Sequence, residues 1–441
     1  MFATFMAQPI MDHPLRDSLA RELHARPFLR IGGSASLAHF AIYADGDTAV
    51  HHALLTSLCR LTGLEEPADG VTHYSGQWGG DKQLKWERHT EFSTFTFVAR
   101  RGDTDYFSDL ATSHIPADWF DNFAGKRLVA LRMELVSGEA AAYARDNVRQ
   151  WIDGPILAGS HVLGGGEVFC DWTIPPDGFS RFLIIDNGFR EVQGGRLLQR
   201  LYEIETYRMM ALLALPVARD LGRSVDNLQR SLAPLMRSMD TSEGGRHDAE
   251  LLERLTHLAV RIEALAESGN RFSASRAYEK LVLARIQELR EERIEGIPTI
   301  AEFMERRFAP AMETCRSVWA RHEQFAGRVA RALDLLRTRV NLAQEQDTTR
   351  LLEGMDQTAR SQLRLQHAVE GLSVAAISYY VLSLAGTGLK ALHAVHIPLD
   401  PELIKGMLIV PVVLLVLRAT RRSKHAGEKT AARRPAANQA A

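Results

Sequence analysis

Val129-Ala130-Leu131-Arg132-Met133-Glu134-Leu135 decides how the first half of the chain is read. Apolar side chains at every second position, with Arg132 and Glu134 between them, have the period of a strand with one buried and one wetted face. Similar patterns on either side predict strands at Ser36–Tyr43, Gln83–His89, Ser93–Val98 and Phe182–Ile185. Val162-Leu163 and Glu167–Trp172 flank Gly164-Gly165-Gly166, which predicts a hairpin. Helical spacing is present too. Leu15, Leu19 and Leu23 repeat at four between a capping Asp12 and a terminating Pro27, and Val50, Leu54, Leu58 and Leu61 form a second stripe. Strands and helices mix up to about Gly195, so residues 1–195 are expected to form an α+β or α/β domain.

Beyond Gly194-Gly195 the strand signal stops. Leu197, Leu201, Ile204, Met209 and Leu212 follow helical spacing, as do Leu251, Leu255, Leu258 and Ile262. Pro216 and Pro234 imply kinks or breaks, and Ser242–Gly245 a loop. A further helix is expected over about Ser273 to Ile294. From Phe303 to Val340 a single apolar stripe predicts a long packing helix, with Pro310 kinking or breaking it near its start and polar Gln344–Arg350 interrupting it. Residues 196–370 thus read as an all-α stalk.

Gly371–Leu389, GLSVAAISYYVLSLAGTGL, contains no charged residue, and its 19 residues are about enough to cross ~30 Å of hydrocarbon. A second run, Gly406–Leu417, is shorter, and Leu403, Ile404, Lys405 and Arg418 extend it. Arg418, Arg421, Arg422, Lys424, Lys429, Arg433 and Arg434 follow, against Glu428, as at the cytoplasmic end of a span. The expectation is a two-helix transmembrane hairpin, 371–389 and 403–418, with residues 419–441 a basic cytoplasmic tail. The start of the chain does not read as a secretory signal, so both termini and the bulk of the chain are expected in the cytoplasm.

Composition narrows the function. The 441 residues are 46% hydrophobic and 24% charged, which suits two or three folded domains. Lys+Arg 53 against Asp+Glu 54 argues against a globally basic nucleic-acid binder. Three distant cysteines, Cys59, Cys170 and Cys315, match no zinc spacing and suit a reducing compartment.

Catalytic motifs are lacking: there is no HExxH, GxSxG, paired-Cys or phosphate-loop pattern, so no enzyme and no cofactor is expected. The adjacent His51 and His52 point about 100° apart on a helix and make a poor metal pair. Glu22, His24 and Arg26 read as a helix ion pair with a histidine elsewhere on the circumference. Glu370 stands at the entry to the first apolar run, Ser373, Tyr380 and Thr387 lie along it, and Asp400 and Glu402 lie in the outward link. In a homo-oligomer those side chains would suit a pore and a mouth that concentrates a divalent cation. The bland reading is that a water-facing loop needs polar residues.

Residues HPLRDSLARELHARPF near the start, LKWERHTEFSTFTF at 84–97, GRLLQRLYEIETYRMMALLALP at 195–216 and LRLQHAVEGLSVAAISYY at 363–380 resemble an uncharacterised bacterial membrane-anchored protein family, a domain of unknown function. That resemblance spans nearly the whole chain. It implies attachment to a lipid bilayer of the bacterial inner membrane and carries over no catalytic residue. The order of domain, stalk, apolar runs and basic tail also resembles CorA-type divalent-cation transporters, which are oligomers. Their Gly-Met-Asn filter is missing: Leu384-Ala385-Gly386-Thr387-Gly388 stands in its place, while Pro401-Glu402-Leu403 is similar to their acidic outer loop. Two functions are therefore weighed, a membrane-anchored cytoplasmic scaffold or sensor and a cation channel of CorA-like build, with a membrane-tethered enzyme a distant third.

Overall fold

The computed structural model describes residues 31–190, 192–241, 246–393 and 401–431, with 13, 15, 16, 20 and 29. Most of the helix expected after Asp12, with Glu22, His24 and Arg26, and the loop 242–245 lie outside the described residues. Contacts divide the chain into two compact units, Met1–Thr241 with Leu251–Asp334, and Ser242–Glu250 with Leu335–Ala441.

The first unit is built on a nine-stranded sheet. Its strands are β1 (Ala35–Tyr43), β2 (His73–Trp78), β3 (Lys82–Arg88), β4 (Phe92–Arg100), β5 (Arg127–Ser137), β6 (Ala158–Val162), β7 (Gly166–Cys170), β8 (Ser180–Asp186) and β9 (Glu292–Arg293), in the order β2-β3-β4-β1-β5-β8-β7-β6-β9. All neighbours are antiparallel except β5 and β8. The glycine hairpin is β6–β7, whose turn places Leu163 and Gly164 at φ 53° and 69°. Such angles are what a tight right-twisting hairpin needs.

Helices cover both faces. On one, α1 (Thr48–Thr62) lays Leu54, Leu55 and Leu58 against Phe40, Trp86, Phe95 and Phe97. Asp47 caps its first turn by accepting from Ala49 N and Val50 N, and Gly63, at φ 70°, ends it. Farther along, α2 (Ala140–Asp146) covers Val136, Leu183 and Ile185. The opposite face carries α3 (Gln193–Leu212) and, on α3, α6 (Gly269–Leu289). Glu91 pins α6 by accepting from Arg271 at 2.8 and 3.1 Å and from Tyr278 at 3.1 Å. Because both faces are covered, β5 is not half-buried as its alternation predicts: Glu134 has no exposed surface. Gly195 lets α3 approach the preceding chain, since a Cβ there would overlap the Leu29 carbonyl oxygen. Gly195→Ala is expected to cost about 1–3 kcal/mol in a denaturation measurement.

The helices α4 (Ala214–Thr241) and α5 (Arg246–Ala266) lie between α3 and α6 in sequence. The break falls at Leu213, which puts Pro216 in the first turn of α4, where its missing N–H costs least, whereas Pro234 sits inside the helix.

The largest departure from expectation is α7 (Ile300–His393), a single helix of 94 residues. Thr299 Oγ accepts from Glu302 N and the Glu302 carboxylate from Thr299 N, each at 3.1 Å, a reciprocal cap. Glu291 accepts from Ile300 N and Ala301 N, both at 2.9 Å. From there α7 runs past Pro310, through Gln344–Arg350 and on through Gly371. The expected C-terminal two-helix hairpin is thereby overturned: the first apolar run has no start of its own and is the far end of the stalk helix. Polarity does not break a helix. Gln, Glu, Arg and Leu are good helix formers, and an isolated glycine such as Gly354 or Gly371 costs only about 1 kcal/mol. A further helix, α8, spans Pro401–Ala431.

Candidate functional site

Between the sheet and α3 lies a layer that is polar where a core would be apolar. His39 on β1 is fully buried; its Nδ1 lies 2.8 Å from Thr96 Oγ1 and its Nε2 3.1 Å from Thr206 Oγ1. The ring stacks on Tyr202 with centroids 4.3 Å apart. Burial, with help from Lys85 and His89, lowers the His39 pKa to about 3, so the imidazole is neutral. On β3, the buried Lys85 ammonium stands 3.3 Å from the Glu87 carboxylate, which is 4.0 Å from His73 Nε2. On the other face Arg101 grips Glu134 through Nε and Nη2 at 2.8 and 3.0 Å.

At the N-terminal end of α3 the surface opens into a pocket of about 360 Å³ lined by Leu163, Arg190, Val192, Gln193, Arg196, Arg200, Glu288 and Arg290. Gln193 braces it, donating to the Leu163 carbonyl at 3.2 Å and accepting from Arg190 N at 2.9 Å. Arg200 donates to one Glu288 oxygen at 2.8 Å and Arg285 to the other at 2.7 Å. Burial raises the Glu288 pKa, but those two guanidiniums outweigh it and hold the carboxyl below its ordinary value.

A second cleft, of about 240 Å³ between α6 and α7, is lined by Phe272, Glu279, Cys315, Arg316 and Trp319 among others. Burial raises the Cys315 thiol to about 11, so this cysteine is protonated and inert near neutrality.

The far end of α7 holds four of the residues singled out in the sequence. Ser373, Tyr380 and Thr387 are exposed and Glu370 is half-buried, 3.8 Å from His367. They are strung along one helix and do not converge. Ser373 and Thr387 each spend their hydroxyl on the carbonyl four residues back, Val369 and Ser383, at 2.9 Å. Glu402 lies in the first turn of α8, and Asp400 lies outside the described residues. Around the hydroxyls Leu372, Ile377, Val381 and Leu384 are open, and Ile300–Gly388 contains a segment long and apolar enough to cross a membrane, of which 11% is buried.

A family model described as "Protein of unknown function (DUF3422)" matches residues 11–426. The chain belongs to this family. No curated protein matches it. Membership supplies no activity for the DUF3422 chain, and the resemblance to CorA-type transporters gains no support from it.

Among the described residues of the DUF3422 chain no group of three His, Cys, Asp or Glu side chains is placed to hold a metal. His51 and His52 are not brought together: His51 Nδ1 is 2.8 Å from Ser93 Oγ, while His52 turns toward Asp69, 3.8 Å away. Sequence reading passed over the four pocket arginines because 190–200 and 290 are remote in the chain. The one available signal was Arg190, Arg196 and Arg200 crowding the start of one predicted helix.

Proposed function

We propose that the DUF3422 chain is a membrane-anchored scaffold or sensor of the bacterial inner membrane, with the sheet unit working on the cytoplasmic side. The observation that carries this reading is α7, capped at its start by Thr299, Glu302 and Glu291 and apolar and open toward its far end. Leu372 and Leu384 are each 73% exposed, a placement that suits lipid better than water. The back-bonded Ser373 and Thr387 hydroxyls satisfy themselves within the helix, which hydrocarbon requires. The three cysteines are all free and buried, in keeping with a reducing compartment.

The full chain is expected to sediment with membranes and to resist both high salt and carbonate extraction. A chain stopped after Gln362 is expected in the soluble fraction. Full chain left in the supernatant as a soluble oligomer would show that a second copy covers the apolar face, and would end the reading. Salt-resistant membrane attachment of the shortened chain would end it too.

A further inference from the structure

Among the described residues, four arginines, Arg190, Arg196, Arg200 and Arg290, line the pocket at the N-terminal end of α3 with one acidic residue, Glu288. That carboxylate is already shared by Arg200 and Arg285. A concavity lined mainly by one sign of charge raises the local concentration of the opposite ion, here an anion. The backbone makes a second, independent point. Six non-glycine residues have positive φ among the described residues, and besides Leu163, which the β6–β7 turn accounts for, Val192 and Arg290 line this pocket. A β-branched residue such as Val192, at φ 66°, is a true outlier in that region. Arg290, at φ 51° and ψ 57°, ends α6 at the position where Gly63 ends α1. Glycine would take that conformation without strain, yet an arginine that lines the pocket stands there. Backbone outliers of this kind cluster at ligand sites.

We infer that this pocket binds a compact phosphate-bearing small molecule from solution. Planar guanidiniums suit phosphate oxygens because each can donate two parallel hydrogen bonds. The volume exceeds one phosphate group and lies in the range of small-ligand sites. Among the described residues the side chains that line it carry no aromatic ring to stack a nucleobase, which favours a ligand that is mostly anion. This binding does not depend on membrane attachment, so its failure and that of the anchoring reading are separately visible.

The test is calorimetric titration of the detergent-solubilised full chain with inorganic diphosphate at fixed ionic strength. One saturable site per chain is expected. Arg290→Gly should weaken binding about tenfold or more, the scale of one lost charge-assisted contact. Because glycine relieves the positive φ, the same variant should melt at or above the temperature of the parent, which separates loss of a ligand contact from loss of fold. Arg196→Ala should weaken binding similarly, and Arg230→Ala, on α4 outside this lining, should leave it unchanged. Heat that never saturates, or equal effects of all three substitutions, would overturn the site. Repeating the titration in lipid nanodiscs distinguishes a free ligand from a lipid headgroup. Binding retained in both phosphatidylcholine and phosphatidylglycerol discs supports the soluble ligand; binding abolished only by phosphatidylglycerol assigns the phosphate to lipid and overturns it.

Discussion

Glu134→Ala is expected to destabilise the sheet unit by about 3–5 kcal/mol, the usual cost of stranding a buried charge. The Glu134 side chain has no exposed surface and that of Arg101 has 1%. Four donors converge on the carboxylate: Arg101 Nε and Nη2, Ser36 Oγ at 3.0 Å and Phe107 N at 2.8 Å. Burial pushes the Glu134 pKa up to about 7 against the pull of Arg101, but the guanidinium has no such escape, because arginine stays protonated. Once Glu134 is gone, Arg101 keeps Asp103 at 2.6 Å, a partner that is itself 63% exposed, and loses the one beneath it. Urea denaturation of the solubilised full chain measures the loss. The pair Arg101→Met with Glu134→Met should cost clearly less than Glu134→Ala alone, since removing both charges leaves neither stranded. A single-variant loss under 0.5 kcal/mol, on the scale of a surface change, would show that Asp103 alone suffices for the buried Arg101 charge and would contradict the prediction.

The same residue shows where sequence reading stops. The alternation over 129–135 locates β5 correctly, because period 2 is a property of the strand itself. It also sends Glu134 to water, because alternation says which residues share a face and nothing about what lies over that face. The cover is Arg101 with the loop to Ser108, some thirty residues upstream, which carries no periodic signal. The stalk failed differently. Gln344–Arg350 reads as an interruption only if an apolar stripe is taken to be the helix; the stripe reports packing, and where packing ends the helix continues on propensity alone. What was legible and unused was Thr299-Ile300-Ala301-Glu302, whose spacing is that of a capping box. The polar residues Ser373, Tyr380 and Thr387 were legible as exceptions in an apolar run, but a run of helix cannot bring them together. The arginine pocket was legible only as Arg190, Arg196 and Arg200 at one helix start; the left-handed turns at Val192 and Arg290 that help shape it occur at residues that rarely make them.

Acid is expected to weaken the sheet unit through His39, by roughly 4–5 kcal/mol over the full range from pH 6.5 to 3 and about 2 kcal/mol by pH 5. The imidazole is fully buried, and burial, then the Lys85 ammonium and then His89, hold its pKa at about 3. In the unfolded chain it returns to about 6.5. Between those values the unfolded state holds the extra proton, so stability is complete above pH 6.5 and drains away as pH falls toward 3. The geometry gives the same sign. A neutral ring can accept from one threonine hydroxyl and donate to the other, as Thr96 and Thr206 allow. A charged ring would have to donate to both while facing Tyr202 and the neighbouring Lys85 charge. The measurement is the unfolding free energy of the full chain at pH 7 and pH 5, for wild type and for His39→Gln, which keeps hydrogen-bonding capacity and cannot titrate. The variant should be less stable at pH 7 and lose less on acidification. His51, whose pKa burial also lowers, contributes acid sensitivity that both proteins share, so the informative quantity is the difference between the two slopes. Parallel slopes would mean that His39 keeps its ordinary affinity for protons in the fold, and the layer between β1 and α3 would then be wetter than the packing of Thr96, Tyr202 and Thr206 around it implies.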